Sequence, residues 1–385
     1  MTLTKRLAAL ALATAATGAQ AADDLKIGLV LPLSGPFAAH GQQIENSVRL
    51  YMKEHGDTVA GRKIRLIVKD DTGIAPAISK RQAQTLLIQD RVDILAGFGM
   101  TPSAFSVAPL ATETRTPMIV MNAATSSITT KSDYVVRTSF TLPQVTTPIA
   151  AWALKNGIKT VYTIVSDYGP GHDAEGQFIR AFEAGGGKIA GSTRTPVSTP
   201  DFAPFLQKAK DVRPDAVFLM LPAGEQGVAF AKGFKERGLD KAGIRLIATG
   251  DITDEGVLDA MGDAAVGMIT SFHYSQAHDS QENKAFVQAY TQAYPGERPN
   301  FWSAGGYDGM HLIYETLKKT GGRTGDAFMA AARGMHWESP RGPVSIDPVT
   351  RDIVQNVYIR KVERVDGVLQ NVEFDTVPDV KDPGK

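Results

Sequence analysis

The run KIGLVLPL at residues 26–33 ends at the turn-forming residues SGP at 34–36. A short apolar run with such an end predicts a buried strand. Ile44, Val48 and Tyr51 then recur at the spacing of one helical face, so a helix is expected after the strand. A buried strand followed by an amphipathic helix is the repeating unit of an α/β protein with a mostly parallel sheet.

The same alternation continues along the chain in two successive series. In the first series, further strands are predicted at residues 64–68, 93–97 and 117–121. The second series begins near residue 144, with strands predicted at 160–166, 215–221, 244–249, 267–271 and 354–360. Helices are predicted at 149–156, 202–212, 225–237, 283–294 and 303–320. Two series of about 120 residues each favour two α/β lobes over one large sheet.

The first 21 residues, MTLTKRLAALALATAATGAQA, have a basic start, an apolar stretch at 7–16 and a small-x-small end at 19–21. This order is typical of a secretory signal, so cleavage is expected after Ala21. An amphipathic N-terminal helix of a cytosolic protein is the alternative. No other segment approaches the run of about 18 apolar residues that a membrane span needs, so the mature chain is expected to be exported. The absence of a cysteine at the cleavage site disfavours a lipid anchor and favours a periplasmic location.

Composition narrows the classes of partner and site. The chain has 385 residues, 41 Lys plus Arg, 41 Asp plus Glu and no cysteine. This length predicts two or three domains. Without Lys5 and Arg6 of the predicted signal, 39 basic residues face 41 acidic ones, and so neutral a body argues against nucleic acid as the main partner. The lack of cysteine excludes disulfides, thiolate metal sites and cysteine nucleophiles.

Sequence motifs for catalysis or cofactor binding are missing. The run GFGMTP at 97–102 fails the dinucleotide pattern at its last position, and no G-x-S-x-G elbow is present. His273 and His278 are five residues apart, which does not put them on one helical face. Adjacent acids at 70–71 and 254–255 are typical of solvated loops and helix caps. We therefore expect no catalytic residue, metal or cofactor, and an exported α/β enzyme is the alternative class.

Two small, hydroxyl-rich turns follow neighbouring predicted strands. They are GMTPS at 99–103 and AATS at 123–126, and each is expected to open a helix. Free backbone N–H groups at a helix start, together with Ser or Thr hydroxyls, bind a carboxylate well. Plain helix capping needs the same residue types and is the alternative for either turn taken alone. Two such turns at one sheet edge favour a carboxylate-binding site.

The order and spacing of longer runs identify a family. KIGLVLPLSGPFAAHGQ opens the mature chain, LAGFGMTPSAFSVAPLA and PMIVMNAAT follow, and VSDYGPG and PDAVFLMLPAGEQGVAFAKGFKERG come later. Over nearly its whole mature length the chain resembles a periplasmic solute-binding protein of the branched-chain amino acid (Leu/Ile/Val-binding) type, the soluble receptor of an ABC importer. The resemblance implies a type I periplasmic-binding fold, in which three crossings join two doubly wound α/β lobes with parallel-rich sheets.

The resemblance also implies how the chain is divided and what it meets. A small carboxylate ligand is expected to be trapped between two closing lobes, and the partners are expected to be the membrane permease subunits of the importer. A monomer is the family expectation. The expected bounds are a signal peptide at 1–21, a first lobe at 22–142 plus 273–348, a second lobe at 143–272 plus 349–375, and a tail at 376–385.

The family motifs assign roles to residues that match them. Thr101, Ala123 and Thr125 are expected to receive the ligand carboxylate. Tyr168, which follows the VSD strand, is expected to pack on the ligand from the second lobe. Asp251 is the expected partner of the α-ammonium of an amino acid.

Several of these assignments leave alternatives open. Tyr168 has an exposed turn residue as its alternative, Asp251 a cap of the next helix, and His40 a solvated loop residue. Asp254 replaces Asp251 if the loop after the strand at 244–249 is shifted. Phe301 and Trp302 are expected to wall the side-chain pocket, with a place in the core as the alternative.

Departures from the family pattern bear on the choice of ligand. This chain has His40 and Ala223 where leucine-type binders tend to carry aromatic residues, and the loss of bulk is expected to enlarge the pocket. A branched-chain or other hydrophobic amino acid is the first prediction, and an aromatic carboxylate of the benzoate or phenylpropanoid type is the alternative. The choice depends on Asp251, because a buried ammonium needs a counter-charge, whereas an unpaired buried carboxylate costs several kcal/mol, roughly.

Overall fold

The computed structural model describes residues 23–197 and 201–384. The predicted signal peptide at 1–21 therefore lies outside the described residues. In the described part of the chain, no helix combines the length and the apolar character that a membrane crossing requires.

The first sheet has six strands in the order β2-β3-β1-β4-β5-β6, and all neighbouring pairs are parallel except β2 with β3. The run at 26–33 supplies its central strand β1, whose residues are buried almost throughout because strands pair with it on both sides. The strands are β1 (Leu25–Leu31), β2 (Thr58–Val59), β3 (Arg62–Asp70), β4 (Ile94–Gly97), β5 (Met118–Val120) and β6 (Val135–Arg137).

The second sheet has nine strands. Its order is β12-β13-β14-β11-β10-β9-β7-β8, with β15 paired to β14. The strands β7 to β11 are mutually parallel, whereas β12 to β15 join them antiparallel. The strands are β7 (Thr160–Ser166), β8 (Lys188–Thr195), β9 (Ala216–Met220), β10 (Arg245–Thr249), β11 (Ile269–Phe272), β12 (His336–Ser339), β13 (Gly342–Ile346), β14 (Ile353–Val365) and β15 (Val368–Val380).

Helices connect the strands and pack on one another in pairs. The helices α1 and α10 pack together, as do α2 with α3 and α4 with α5. The helices are α1 (Ala38–His55), α2 (Pro76–Gln84), α3 (Thr101–Thr114), α4 (Leu142–Lys155), α5 (Gly169–Ala184), α6 (Ala203–Val212), α7 (Glu225–Glu236), α8 (Leu258–Met261), α9 (Gln281–Ala293), α10 (Phe301–Thr320) and α11 (Asp326–Ala332). The predicted α/β class with two parallel-rich sheets is confirmed.

The chain passes between the two sheets three times. The first passage follows β6 and the second follows β11, after which α10 packs against α1 and the first sheet. The third passage leads from α10 back to β12. The predicted first lobe extended to residue 348, but β12 and β13 at residues 336–346 already belong to the second sheet, because β13 pairs with β14.

The C-terminal stretch also differs from its prediction. Residues 376–385 were expected to form a tail, but β15 continues to Val380 and pairs with β14 through Val377 and Val357. Beyond the strand, an oxygen of the Asp382 carboxylate accepts a hydrogen bond from the Ser126 hydroxyl at 2.6 Å. The strand was missed because its side chains are mostly exposed and polar, so it carries no apolar run.

Helix α5 is held against the end of β7 by a close backbone approach. A Cβ atom built on Gly171 would lie 1.8 Å from the carbonyl oxygen of Ser166, so only glycine fits there. Gly176 in the same helix has open surroundings, since the nearest atom to such a Cβ is Nη1 of the Arg180 side chain at 3.4 Å.

The two glycines of α5 therefore give a matched test of this packing. Gly171→Ala is expected to lower the free energy of unfolding by about 2 kcal/mol, because the strand end and helix must separate. Gly176→Ala is expected to raise it by up to about 1 kcal/mol, because alanine favours the helix. Urea unfolding followed by circular dichroism measures both, and equal effects of the two variants would contradict the close approach.

Candidate ligand-binding site

A cleft with an empty volume of about 400 Å³, part of it open to solvent, lies where the carboxyl ends of strands from both sheets face each other. This is the edge at which parallel α/β sheets bind ligands. The structure brings seven of the nine predicted residues to its lining: His40, Thr101, Ala123, Tyr168, Ala223, Asp251 and Trp302. Thr125 lies just behind, with its hydroxyl 3.1 Å from the hydroxyl of Thr101.

Phe301 does not reach the lining of the cleft. Its side chain is buried and packs edge-on against Phe272, with ring centroids 4.9 Å apart. Its neighbour Trp302 does line the cleft. The Asn300 side chain caps α10 by accepting a hydrogen bond from the N–H of Trp302 at 3.0 Å. The two adjacent aromatic residues therefore divide between the core and the cleft.

The first sheet contributes the two predicted turns. Thr101 is the first residue of α3, so the opening N–H groups of that helix have no acceptor within it. Asn122 joins the turns by donating from Nδ2 to the carbonyl oxygen of Gly99 at 2.8 Å, while its Oδ1 is buried with no partner in the described chain. Asn122 carries no local sequence signal, because only the fold places it opposite Gly99.

Aromatic rings form much of the remaining wall. The rings of His40 and Trp302 stack at a centroid distance of 4.3 Å and an interplanar angle of 10°. Burial lowers the pKa of His40 to about 4, so the imidazole is neutral at pH 7. His40 Nδ1 and Trp302 Nε1 are both buried, and neither has a hydrogen-bond partner among the described residues. Sequence analysis did not include Phe37 and Phe140, which also line the cleft.

The second sheet closes the cleft at the start of α5. Tyr168 is the N-cap residue of this helix and lines the cleft. A Cβ atom built on Gly169 would lie 3.0 Å from the Thr125 hydroxyl, so the backbone of α5 nearly touches the turn of the first sheet. The Ser126 N–H donates to a carboxylate oxygen of Asp173 at 2.8 Å. The two halves of the molecule are therefore in contact along this edge.

Among the described residues that line the cleft, Asp251 is the only Asp or Glu, and there is no Lys or Arg. It lies in a short helical turn after β10, is 7% exposed, and its Oδ2 has no hydrogen-bond partner in the described chain. Burial raises the pKa of its carboxyl to about 6. Behind it, the Arg360 guanidinium donates to the carbonyl oxygen of Gly250 at 3.3 Å.

The alternative acid, Asp254, is buried outside the cleft lining. Burial raises the pKa of its carboxyl to about 7, with a further rise from neighbouring Glu255. Its Oδ1 accepts from the N–H of Gly256 at 2.8 Å. The structure therefore brings Asp251, and not Asp254, to the cleft.

Comparison with known proteins gives this site its context. A family model described as "Periplasmic binding protein" matches residues 24–367. The chain belongs to the periplasmic binding protein family. It is thus a solute-binding protein of the class that serves ABC transporters, and its fold is the two-lobe type I form that the sequence resemblance implied.

Proteins similar to this periplasmic binding protein differ in the ligand that their names or descriptions mention. "Leu/Ile/Val-binding protein homolog 6" of Brucella melitensis is 46% identical over 98% of each chain. A solute-binding protein from Rhodopseudomonas palustris BisB5, solved with 3,4-dihydroxybenzoic acid, is 56% identical with a TM-score of 0.91, over 94% of this chain and 99% of that chain. A protein from R. palustris HaA2, solved with p-hydroxybenzoic acid, is 44% identical over the same shares with a TM-score of 0.91.

The raised pKa of Asp251 predicts a pH-dependent cost in the ligand-free protein. The folded state holds the proton up to about pH 6, whereas a carboxyl at its ordinary value of 3.8 loses it earlier, so this group destabilises the fold as pH rises from 4 to 6. Asp251→Asn is therefore expected to gain stability relative to the wild type over this range, on the order of 2 kcal/mol, and then to level off.

Urea unfolding of both proteins at pH 4, 5, 6 and 7.5 measures this difference. Comparison with the wild type at each pH cancels the opposite contribution of the buried His40, whose pKa is lowered. A difference that stays constant from pH 4 to 7.5 would show that Asp251 titrates as an exposed carboxyl.

Proposed function

We propose that this protein captures a hydroxylated aromatic carboxylate, of the hydroxybenzoate class, for an ABC importer. The observation that carries the proposal is a cleft lined by five aromatic rings, with turns that offer N–H and hydroxyl donors on one sheet and one buried carboxyl, Asp251, on the other. The lining rings are those of Phe37, His40, Phe140, Tyr168 and Trp302. A flat, rigid ring with polar groups at its ends suits such a space.

In this arrangement the ligand carboxylate lies at the turns of the first sheet. It accepts hydrogen bonds from the start of α3 and from the hydroxyl of Thr101, as carboxylates do at helix N-termini, while the Thr125 hydroxyl behind donates to Thr101. The ring packs between the His40–Trp302 stack and Tyr168. The small residue Ala223 leaves room beside the ring where a larger side chain would occupy it.

A ring hydroxyl on the ligand offsets the free-energy cost of burying the Asp251 carboxyl without a hydrogen-bond partner. A phenolic O–H donates to Asp251 Oδ2, which has no hydrogen-bond partner among the described residues, and so removes the cost of burying that oxygen. The two relatives solved with hydroxybenzoic acids, at 56% and 44% identity, support this class of ligand.

A branched-chain amino acid is the second candidate. The observation that favours it is the carboxyl of Asp251, since a buried ammonium requires a counter-charge. The name of the Brucella relative supports it as well. In both cases the ligand is bound and released unchanged, so mass spectrometry should recover it intact after prolonged incubation.

A thermal-shift panel separates the two ligands. At 100 times its dissociation constant a ligand stabilises the folded protein by about 2.7 kcal/mol. We expect 4-hydroxybenzoate and 3,4-dihydroxybenzoate to raise the melting temperature, and leucine and valine to leave it unchanged. A shift with leucine or valine alone would refute the aromatic ligand and establish the second candidate.

Asp251→Asn tests the hydroxyl contact. We expect it to weaken 4-hydroxybenzoate by about tenfold, since a hydrogen bond to a charged group becomes one to a neutral group, and to leave benzoate, which has no ring hydroxyl, nearly unchanged. Asp254→Asn is the matched control, because Asp254 is buried nearby but does not line the cleft. Isothermal titration calorimetry gives the affinities, and an equal loss for both ligands would place Asp251 outside hydroxyl recognition.

The proposed transport role involves export of the protein and delivery of the ligand to the permease. The mature protein begins after Ala21, functions as a periplasmic monomer, and presents its ligand-closed form to the permease subunits. The contact between Ser126 and Asp173 across the cleft supports a closed arrangement of this kind.

Small-angle scattering tests closure. The ligand contacts both halves of the molecule, so it favours the closed form, and the radius of gyration is expected to fall when 4-hydroxybenzoate saturates the protein. An unchanged radius at saturation would contradict capture by closure.

A further inference from the structure

We propose that Arg137 is the positioning residue of the carboxylate end of the cleft: its buried guanidinium shapes the turn at 123–126 and supplies the positive charge that favours an anionic ligand. This inference rests on the proposed function, because it concerns the same site. Arg137 lies at the end of β6 and does not line the cleft. It acts through the backbone of the turn.

In the described lining of the cleft, no positively charged side chain is placed to contact the ligand. Among the described residues that line it there is no lysine or arginine, and burial keeps His40 neutral at pH 7. Asp251 at the other sheet adds negative charge. A ligand carboxylate placed there has only neutral donors in contact, although removing a carboxylate from water is costly.

Arg137 lies directly behind the neutral donors. Its side chain is fully buried, and its guanidinium donates to three carbonyl oxygens of the turn: Ala123 at 3.0 Å, Thr125 at 2.9 Å and Ser126 at 3.1 Å. Ala123 itself lines the cleft. One layer of backbone therefore separates the guanidinium from the ligand site.

These hydrogen bonds fix the direction of the peptide groups. The carbonyl oxygens of the turn point inward to Arg137, so the turn cannot present them to an anionic ligand. A peptide group whose oxygen binds a cation is polarised, which makes its N–H a stronger donor. The guanidinium also acts on the ligand through space, and inside a protein such an interaction is stronger than in water.

The ion pair of Arg137 leaves this effect in place. Asp352 accepts from Nε at 2.8 Å, whereas the two terminal nitrogens face the turn. Asp352 is therefore at the Nε edge of the guanidinium, and the terminal nitrogens are directed towards the turn. Asp173 and Asp382 also act on Arg137 through space, and both are hydrogen-bonded to Ser126 at the outer end of the turn. Burial lowers the pKa of Arg137 to about 10, which leaves it charged at pH 7.

The test compares a charged ligand with its neutral analogue. Affinities of 4-hydroxybenzoate and 4-hydroxybenzamide are measured by calorimetry for the mature wild type and for the double variant Arg137→Gln/Asp352→Asn, which removes both buried charges together. We expect the wild type to prefer the carboxylate, and this preference to fall by about tenfold or more in the double variant. A purely structural role would weaken both ligands equally, and an unchanged preference would overturn the proposal.

A second buried pair provides the matched control. Arg341 is also fully buried, pairs with Asp308 at 2.7 Å and donates to the carbonyl oxygen of Ser139, but it contacts no residue of the turn. Arg341→Gln/Asp308→Asn is expected to lower stability and to keep the carboxylate preference. The same loss of preference in this control would refute a specific role for Arg137.

Asp352→Asn alone covers the case in which the double variant does not fold. It keeps the guanidinium and removes its counter-charge, so the preference for the carboxylate is expected to rise, and no rise would overturn the proposal.

Binding by the wild type distinguishes this test from that of the proposed function. If the wild type binds leucine and not hydroxybenzoate, the aromatic ligand is refuted, and the comparison of leucine with leucinamide then tests Arg137.

Discussion

The loops around the cleft and the passages between the two sheets bury backbone carbonyl groups that accept no hydrogen bond within a strand or helix. Buried polar groups need partners, and here three fully buried arginines supply them. Arg137 binds the turn at 123–126, Arg341 binds carbonyls of the first passage, and Arg360 binds the carbonyl oxygens of Gly250 and Tyr274. The irregular backbone around the cleft holds its shape because each guanidinium joins several segments that are distant in sequence.

The strands that the sequence could predict are those whose burial leaves a local apolar pattern. Most of the parallel strands were visible because strands such as β1 and β9 are buried on both faces and appear as apolar runs, whereas the parallel edge strands β6 and β8 were missed. The strands β12, β13 and β15 were missed, since they pair antiparallel at one edge and alternate or expose their side chains. Their place depends on long-range pairing with β14, which leaves no local signal.

The same distinction applies to the cleft. The turn that contains Thr101 was predicted because its small and hydroxyl residues are local in sequence, and Asp251 was assigned through the family resemblance as the acid after the strand at 244–249. Asn122 and Arg137 carry no such signal. Their roles follow from contacts with Gly99 and with Asp352, which is 215 residues away in sequence. Phe301 was placed with its neighbour Trp302, although a helix start directs adjacent side chains to different sides.

Each end of the cleft has a buried arginine behind its backbone. Arg137 lies behind the turn of the first sheet, and Arg360 lies behind the loop that carries Asp251. A guanidinium in direct contact with the ligand would bind any carboxylate strongly and would lose the contribution of shape. A guanidinium held one layer back lowers the cost of burying the anion and leaves the choice among anions to the rings and to the partner of Asp251. In the proposed complex, the attraction for a negative charge and the selection by shape are thus assigned to different residues.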